Sequence, residues 1–247
     1  MRKTETIAFR ITLIVCIGLA VWGIVFFSSL SVGLRKAIFN DETVSLEKKV
    51  ENVSTLVESE RKDLLEYIEY LQHHEKFDIN DSAEINEMLS HTDHKLKLAN
   101  AAVFDLNSNV LFSIHEDSFG KSSEKAALSD ALSGESSAKI TVKNSSIMVT
   151  AAGRLPLKSG NAVVLLQKVI STSEMMERYS LFLDAEITFF IDDLRVATSL
   201  KNTDGKFMVG TKLNNDKIYS TVYSSGEKYK GRNNINGRDF LTSYQSF

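Results

Sequence analysis

Residues 101–114 read AAVFDLNSNVLFSI. Two runs rich in β-branched and aromatic residues flank the polar tripeptide Asn107-Ser108-Asn109, and this arrangement is typical of a β-hairpin. The flanking sequence predicts helices at 82–97 and 123–132 and further strands at 138–142, 147–152 and 162–170, separated by polar or Gly/Pro turns. The order of helix, two strands, helix and three strands predicts a five-stranded antiparallel sheet with its helices to one side.

A second, weaker copy of this order comes next along the chain. It comprises a linking helix at 173–183, strands at 186–191 and 194–198 around the turn Asp192-Asp193, a helix at 214–224, and strands at 229–235 and 239–244. The last two strands are joined by Asn236-Gly237, a strong short hairpin signal. The counterpart of strand 162–170 would lie beyond Phe247, so we expect an incomplete second unit. The alternative is that two α+β stretches merely look alike.

A long helix is predicted before the first unit. Residues 35–74 contain no proline or glycine. Apolar residues recur at steps of three and four, at Leu46, Val50, Val53, Val57, Leu64, Tyr67 and Leu71, with the charged Glu60 interrupting them. One interpretation is a stalk that pairs with a second copy to form a homodimer. The other is a helix packed along its own domain. Each interpretation can apply to a different part of the helix.

The run before this helix is apolar. Residues 11–34, ITLIVCIGLAVWGIVFFSSLSVGL, contain no charged side chain. At about 1.5 Å rise per residue the run exceeds the ~30 Å core of a bilayer. It is also longer than the apolar region of a cleaved signal peptide and has no matching cleavage site. It predicts an uncleaved membrane anchor. Arg2, Lys3 and Arg10 before it favour a cytoplasmic N-terminus.

Composition excludes several classes of function. The net charge is −3, with no basic cluster after the first residues, which argues against a nucleic-acid partner. The single Cys16 excludes an intramolecular disulfide framework and a Cys-rich zinc site. The sequence contains no H-E-x-x-H or G-x-S-x-G motif, and we find no nucleophile or metal set. We therefore expect no enzyme activity, no metal and no cofactor.

These features resemble the extracytoplasmic double Cache region of bacterial methyl-accepting chemotaxis receptors. Residues 102–113 are similar to the hairpin of the membrane-distal module. The stretches similar to the proximal module are 195–198, 204–206, 210–213, 226–232 and Tyr244. The resemblance implies an α+β chain with two PAS-like (Cache) antiparallel-sheet modules, of which the second is incomplete.

The implied organisation has five parts: a cytoplasmic tail (1–10), a transmembrane helix (11–34), a stalk helix (35–77), a membrane-distal module (78–170), and a linking helix with a partial membrane-proximal module (171–247). The chain would lie in a bacterial inner membrane, single-pass as given, with its bulk periplasmic or extracellular. Two features of such receptors are missing from the sequence. It contains no final strand, second span, HAMP linker or signalling hairpin, and it lacks the constellation of Arg, Trp and Tyr that holds an amino acid in many double Cache modules.

A sheet with a helix and loops over its open face makes a concave pocket for a small solute. An anionic solute such as a carboxylate needs fixed donors, and the planar guanidinium of arginine suits it. The candidates in the second unit are Arg195, Thr198, Lys212, Tyr229, Arg232 and Tyr244. Those in the first unit are His115, Thr150 and Arg154. For each of them the alternative is a surface or salt-bridged residue.

The sequence therefore predicts the sensory input portion of a transmembrane chemoreceptor, which would pass a helix shift to the membrane. Two other classes stay open. One is a membrane-anchored module without signalling output, such as a truncated receptor or a partner-binding protein. The other is the input region of a sensor kinase or diguanylate cyclase.

Overall fold

A computed structural model describes residues 2–74, 77–78, 81–114, 122–158 and 160–246, with side chains at Trp22 and, from Phe26 onward, at all of these except residues 74, 122 and 123. The helices are α1 Arg2–His74, α2 Ser82–Leu96, α3 Ser122–Ser133, α4 Ser173–Leu183 and α5 Asp216–Tyr219, and α5 continues into a π-helical turn, Ser220–Ser224. The strands are β1 Asn100–Phe104, β2 Val110–Ser113, β3 Ser137–Lys143, β4 Ser146–Leu157, β5 Gly160–Val169, β6 Thr188–Ile191, β7 Leu194–Thr198, β8 Tyr229–Ile235 and β9 Arg238–Tyr244.

The long helix packs along its own domain over much of its length. The stripe residues Val53, Val57, Leu64 and Leu71 are buried in the main core, where α1 lies against β3 and β4. This part of the stripe is therefore occupied within the chain, as a helix packed along its own domain requires. Nearer the N-terminus, Leu34, Ile38 and Val44 are exposed.

The first unit is a five-stranded antiparallel sheet with the order β2-β1-β5-β4-β3. Its alternating side chains form two cores because each face is covered. Val103, Val149 and Leu166 belong to the core that α1 and α2 cover, whereas Phe104, Ala152 and Leu165 pack with Ala127 and Ala131 of α3. The prediction of helices on one side only was wrong. The strands are apolar on both faces, and such strands need cover on both.

The second unit consists of two hairpins around α5. β6 pairs with β7 across the Asp192-Asp193 turn, and β8 pairs with β9 across Asn236-Gly237, so both predicted turns are confirmed. The two hairpins form separate two-stranded sheets.

Helix α4 joins the units and is capped by Thr172, whose hydroxyl accepts from Met175 N at 3.1 Å. The predicted helix 214–224 is shorter as an α-helix, because Asn215 caps it and its last residues form the π-helical turn.

None of the helices in the described ranges carries an apolar stretch long enough to cross a membrane. Most of the predicted span 11–34 falls on positions whose side chains lie outside the described part of the structure.

Candidate functional site

A cavity of about 770 Å³ lies between α1 and the second unit. One wall is α1, from Asp41 to Val53, and the others come from β6, α5 with its π-helical turn, and β9. Several aromatic side chains line it: Phe189, Phe190, Tyr219, Tyr223, Phe240 and Tyr244. The volume and the aromatic lining with a few polar groups are those of a small-molecule site.

Arg195 is the predicted residue that reaches this cavity with a buried charge. It stands on β7 opposite Phe190 of β6, is only 4% exposed, and its guanidinium carbon lies 5.2 Å from the centroid of the Phe190 ring. Nη1 donates a short hydrogen bond to Oγ1 of Thr211. Nε is buried without a hydrogen-bond partner, and no carboxylate in the described ranges forms an ion pair with the group. The site therefore holds a desolvated cation with an unused donor.

Tyr244 also lines the cavity, and its ring packs against the ring of Tyr229. The two tyrosines are cross-strand partners at the end of the β8–β9 hairpin, with ring centroids 6.1 Å apart, and Tyr244 also lies 6.1 Å from Phe190. Burial raises the pKa of Tyr244, while the neighbouring positive charge of Arg195 opposes this. Burial lowers the pKa of Arg195. Tyr244 thus stays a neutral hydroxyl beside a guanidinium at neutral pH.

The rim of the cavity is acidic. Asp41, Glu42, Asp184, Glu186 and Asp192 line it, against the bases Lys49 and Arg195. Lys49 already donates to the carbonyl of Asp184 at 2.7 Å. A hydrogen bond from Tyr223 to Asp192 raises the pKa of that tyrosine. Among the basic residues that line the cavity, Arg195 is the buried one, and its Nε has no hydrogen-bond partner in the described part of the structure.

The other predicted residues of the second unit lie elsewhere. Thr198 is buried, but its hydroxyl is bonded to Thr188 at 2.7 Å and accepts from Leu200 N. Lys212 is exposed and pairs with Asp193 at 2.8 Å. Arg232 is exposed, and its guanidinium carbon lies 5.5 Å from the Phe39 ring of α1. The surface or salt-bridged interpretation therefore describes Lys212 and Arg232.

In the first unit, Thr150 belongs to a buried polar cluster on the α3 face of the sheet. Its hydroxyl contacts Thr141 at 2.9 Å and accepts from Gln167 at 3.3 Å. Lys143 pairs with Glu124 at 2.6 Å, and both side chains are less than a tenth exposed. Sequence reasoning missed Glu124, Lys143 and Gln167. The signal for Gln167 was available, since this amide interrupts the apolar run of β5.

The other two candidates of the first unit are separate from this cluster. Arg154 donates through Nη2 to the carbonyl of Leu132 at 2.9 Å and so satisfies the C-terminal end of α3. His115 lies outside the described residues. The structure thus places Arg195 and Tyr244 at one cavity, with Tyr229 packed on Tyr244, and separates them from Thr150 and Arg154.

Residues 167–247, about a third of the chain, match the family described as Single cache domain 3. This range covers the second unit together with the end of β5. The prediction of a Cache-like fold of helices and antiparallel sheet is confirmed at this level. No curated protein matches the chain.

Similar solved structures include a periplasmic domain, a chemoreceptor sensory domain and a histidine kinase sensor domain. The periplasmic domain of LuxQ from Vibrio cholerae is 12% identical, with 83% of this chain and 98% of that chain covered and a TM-score of 0.49. The sensory domain of the Campylobacter jejuni chemoreceptor Tlp3 is 11% identical, with 85% and 89% covered and a TM-score of 0.47. The sensor domain of the V. cholerae histidine kinase DctB is 10% identical, with 78% of each chain covered and a TM-score of 0.46.

Proposed function

We propose that the chain is the extracytoplasmic ligand-sensing portion of a transmembrane receptor of the chemoreceptor type. It binds a small solute in the cavity between α1 and the second unit. Arg195 meets an anionic group of that solute, such as a carboxylate. The match of residues 167–247 to a Cache family supports this assignment, and the cavity supplies the site.

The observation that carries the proposal is the state of Arg195. A guanidinium that is 4% exposed, has no ion-pair partner among the described carboxylates and has an unused Nε–H is costly in a folded protein. A bound carboxylate would compensate for that cost, because a charged acceptor forms strong hydrogen bonds with an arginine. Tyr244 offers a second polar group beside it.

The same cavity offers a route from binding to signalling. Residues 41–53 of α1 form one wall, so a solute would contact the helix and the second unit at once. Lys230 of β8 pairs with Glu47, and Gln245 donates to Ser54 at 2.9 Å, which ties the second hairpin to α1. A solute that favours one arrangement of these contacts shifts the helix.

The membrane anchor and the dimer are further parts of the proposal. The charge-free run 11–34 supports an anchor, as do the large exposed apolar side chains at Trp22, Phe26, Phe27 and Leu30. The exposed Leu34, Ile38 and Val44 provide an apolar stretch of α1 for a second copy. Fractionation of cells that express the chain tests the anchor: carbonate-resistant membrane association supports it, and release into the soluble fraction contradicts it.

A module without output and the input region of a sensor kinase or diguanylate cyclase are the alternatives. They share the same binding chemistry and differ in the domain to which the module is attached. Fusing residues 1–247 to a chemoreceptor signalling domain distinguishes the receptor hypothesis from these two alternatives. Solute-dependent kinase control by the fusion supports a receptor input, and a silent fusion that still binds solute favours the module without output.

A thermal-shift screen of the full chain against small organic acids and amino acids tests solute binding. A compound that binds the folded state raises the melting temperature by mass action. Arg195→Ala should remove the shift, whereas Arg232→Ala, at an exposed arginine packed on Phe39, should keep it. If no compound stabilises the chain, or if a hit stabilises Arg195→Ala equally, the proposal is wrong.

A further inference from the structure

The turn of the β8–β9 hairpin contains the one Asn-Gly pair of the sequence, Asn236-Gly237. Both residues are exposed, and both have a positive φ, 52° at Asn236 and 79° at Gly237, as a two-residue type I′ turn requires. An Asn-Gly pair is also chemically unstable, because glycine has no side chain that would hinder an attack of its own backbone nitrogen on the side chain of the asparagine. This turn is therefore a place where the chain can modify itself.

The reaction involves these two residues and water. The backbone nitrogen of Gly237 forms a bond with Cγ of Asn236 and gives up its proton, and the side-chain nitrogen of Asn236 takes up a proton and leaves as ammonia. Water then opens the resulting five-membered ring at one of its two carbonyl carbons. Opening gives aspartate or isoaspartate, and in isoaspartate the backbone passes through Cβ and Cγ and is one carbon longer.

The side chain of Asn234 engages the nitrogen that would attack. The backbone N–H of Gly237 donates to Oδ1 of Asn234 at 3.0 Å. Asn234 is itself held by its cross-strand partner Asp239, because its Nδ2 donates to Oδ1 of Asp239 at 2.8 Å. The attack requires the nitrogen of Gly237 to lose its proton, so a hydrogen bond that retains this proton slows the reaction.

The conformation of the turn also opposes the reaction. In a type I′ turn, ψ of the first central residue is about +30°. At this angle the nitrogen of Gly237 lies almost opposite Cβ of Asn236 about the Cα–C bond, whereas the attack requires both on the same side. The turn must therefore open before the reaction, and the bond from Gly237 to Asn234 opposes this opening.

The consequences of the reaction would reach beyond the turn. A two-residue turn fixes the register of its hairpin, so an additional backbone carbon would displace β9 along β8 or distort the end of the ladder. The far end of β9 carries Tyr244, which lines the cavity, and is followed by Gln245, which donates to Ser54 of α1 at 2.9 Å. The contacts between the hairpin and α1 therefore depend on an intact Asn236.

We propose that Asn236-Gly237 is a site of self-modification and that Asn234 is the residue that keeps Asn236 intact in the folded chain. Asn234 does so through one hydrogen bond, which retains the proton of Gly237 and holds the turn closed. The turn lies at the opposite end of the hairpin from the pair Tyr229↔Tyr244, so this role of Asn234 is independent of solute binding.

The test follows the conversion of Asn236 directly. The full chain is incubated at mildly alkaline pH, and aspartate and isoaspartate at position 236 are measured over time by mass spectrometry of its peptides. We expect Asn234→Ala to raise the rate of conversion by about five-fold, the effect of losing one hydrogen bond. Asn234→Asp combined with Asp239→Asn exchanges the two partners and keeps an acceptor for the N–H of Gly237, so this double variant should convert at a rate near that of the native chain.

Gly153→Ala is the control for general destabilisation, because its added methyl group would overlap with the side chain of Ile68 in the first unit. It should lower the melting temperature and leave the rate of conversion at Asn236 unchanged. An unchanged rate in Asn234→Ala would overturn the proposal. A rise of the same size in Gly153→Ala would also overturn it, because conversion would then follow unfolding of the whole chain. These rates do not depend on a solute, so this test and the test of solute binding can fail separately.

Discussion

Arg195 and Phe190 face each other across the β6–β7 hairpin, with the guanidinium carbon 5.2 Å from the centroid of the ring. The aromatic face stabilises the buried cation. Thr211 holds one terminal nitrogen, and Nε is left with an unused hydrogen. The pair therefore holds a buried cation with an unused donor in a residue that lines the cavity.

Replacing this guanidinium by an ammonium should weaken solute binding. Arg195→Lys keeps the positive charge but loses the planar donor set and the stacking on Phe190. We expect the dissociation constant of a screened carboxylate to rise by about 10- to 100-fold, the loss of one or two charge-assisted hydrogen bonds. Isothermal titration calorimetry measures it. An unchanged constant would show that the anion is bound elsewhere.

Tyr179 should give the chain a stability loss at alkaline pH. Burial, with a contribution from the charge of Glu60, raises the pKa of Tyr179 from 10 to about 12. The folded state therefore keeps a proton that the unfolded state loses. Stability from this group is complete below pH 10 and falls between pH 10 and 12, by at most about 1.4 kcal/mol per pH unit. Urea unfolding at several pH values should show that slope in the native chain, and Tyr179→Phe should reduce it.

The same substitution should stabilise the chain at neutral pH. The hydroxyl of Tyr179 is buried without a partner, so removing it relieves a desolvation cost of about 1 kcal/mol. Tyr67→Phe is the matched control, because the hydroxyl of Tyr67 accepts from Thr92 at 3.2 Å and its loss should destabilise the chain. Equal urea midpoints for the two variants would contradict this difference.

Lys143 and Glu124, the buried ion pair of the first unit, should show a large coupling energy for stability. Lys143→Met leaves the carboxylate of Glu124 in a buried position and should cost about 3 kcal/mol or more. The double variant with Glu124→Gln should cost less than the sum of the single changes, because the buried negative charge is gone as well. A double-mutant cycle in urea measures this coupling, and additive costs would argue that the pair carries no net interaction.

Gly153 sets the approach of α1 to β4. A Cβ added there would lie 2.4 Å from Cγ2 of Ile68 and 2.6 Å from Oγ of Ser136. The branched Ile68 side chain has little freedom to move, so Gly153→Ala should destabilise the chain by about 1–3 kcal/mol. Gly33→Ala, where nothing lies within 4 Å, is the control and should cost nothing. A shift of the melting temperature shared by both variants would contradict this packing.

Local signals predicted most elements of the fold. The predictions of a hairpin at 101–114 and of a linking helix at 173–183 were correct. The turn and cap residues that end these elements are close to them in the sequence, so a local pattern was sufficient. β4 was predicted to end at 152 but continues to Leu157. A Gly/Pro turn was predicted between 152 and 162, whereas the structure continues the strand and uses Gly153 for the close approach of α1. That approach depends on a helix about eighty residues earlier in the chain, which no local pattern contains.

The candidate site was predicted only in part. Arg195 and Tyr244 were identified by residue type, and both line the cavity. Lys212 and Arg232 are cationic like Arg195. In the structure, however, Lys212 pairs with Asp193, and Arg232 packs on the Phe39 ring. Partners of this kind are set by tertiary contacts, so charge and spacing alone could not separate these three cations. The helices on both faces of the first sheet were missed for the same reason.

Contact between a solute and Arg195 in the cavity is the central claim, and nuclear magnetic resonance of the arginine side chains tests it most directly. The Nε–H signal of Arg195 is identified by its loss in Arg195→Lys and followed as a carboxylate hit from the screen is added to the ¹⁵N-labelled full chain. We expect this signal to move and to saturate with the binding constant from calorimetry. A signal that stays in place while the hit binds would contradict the claim.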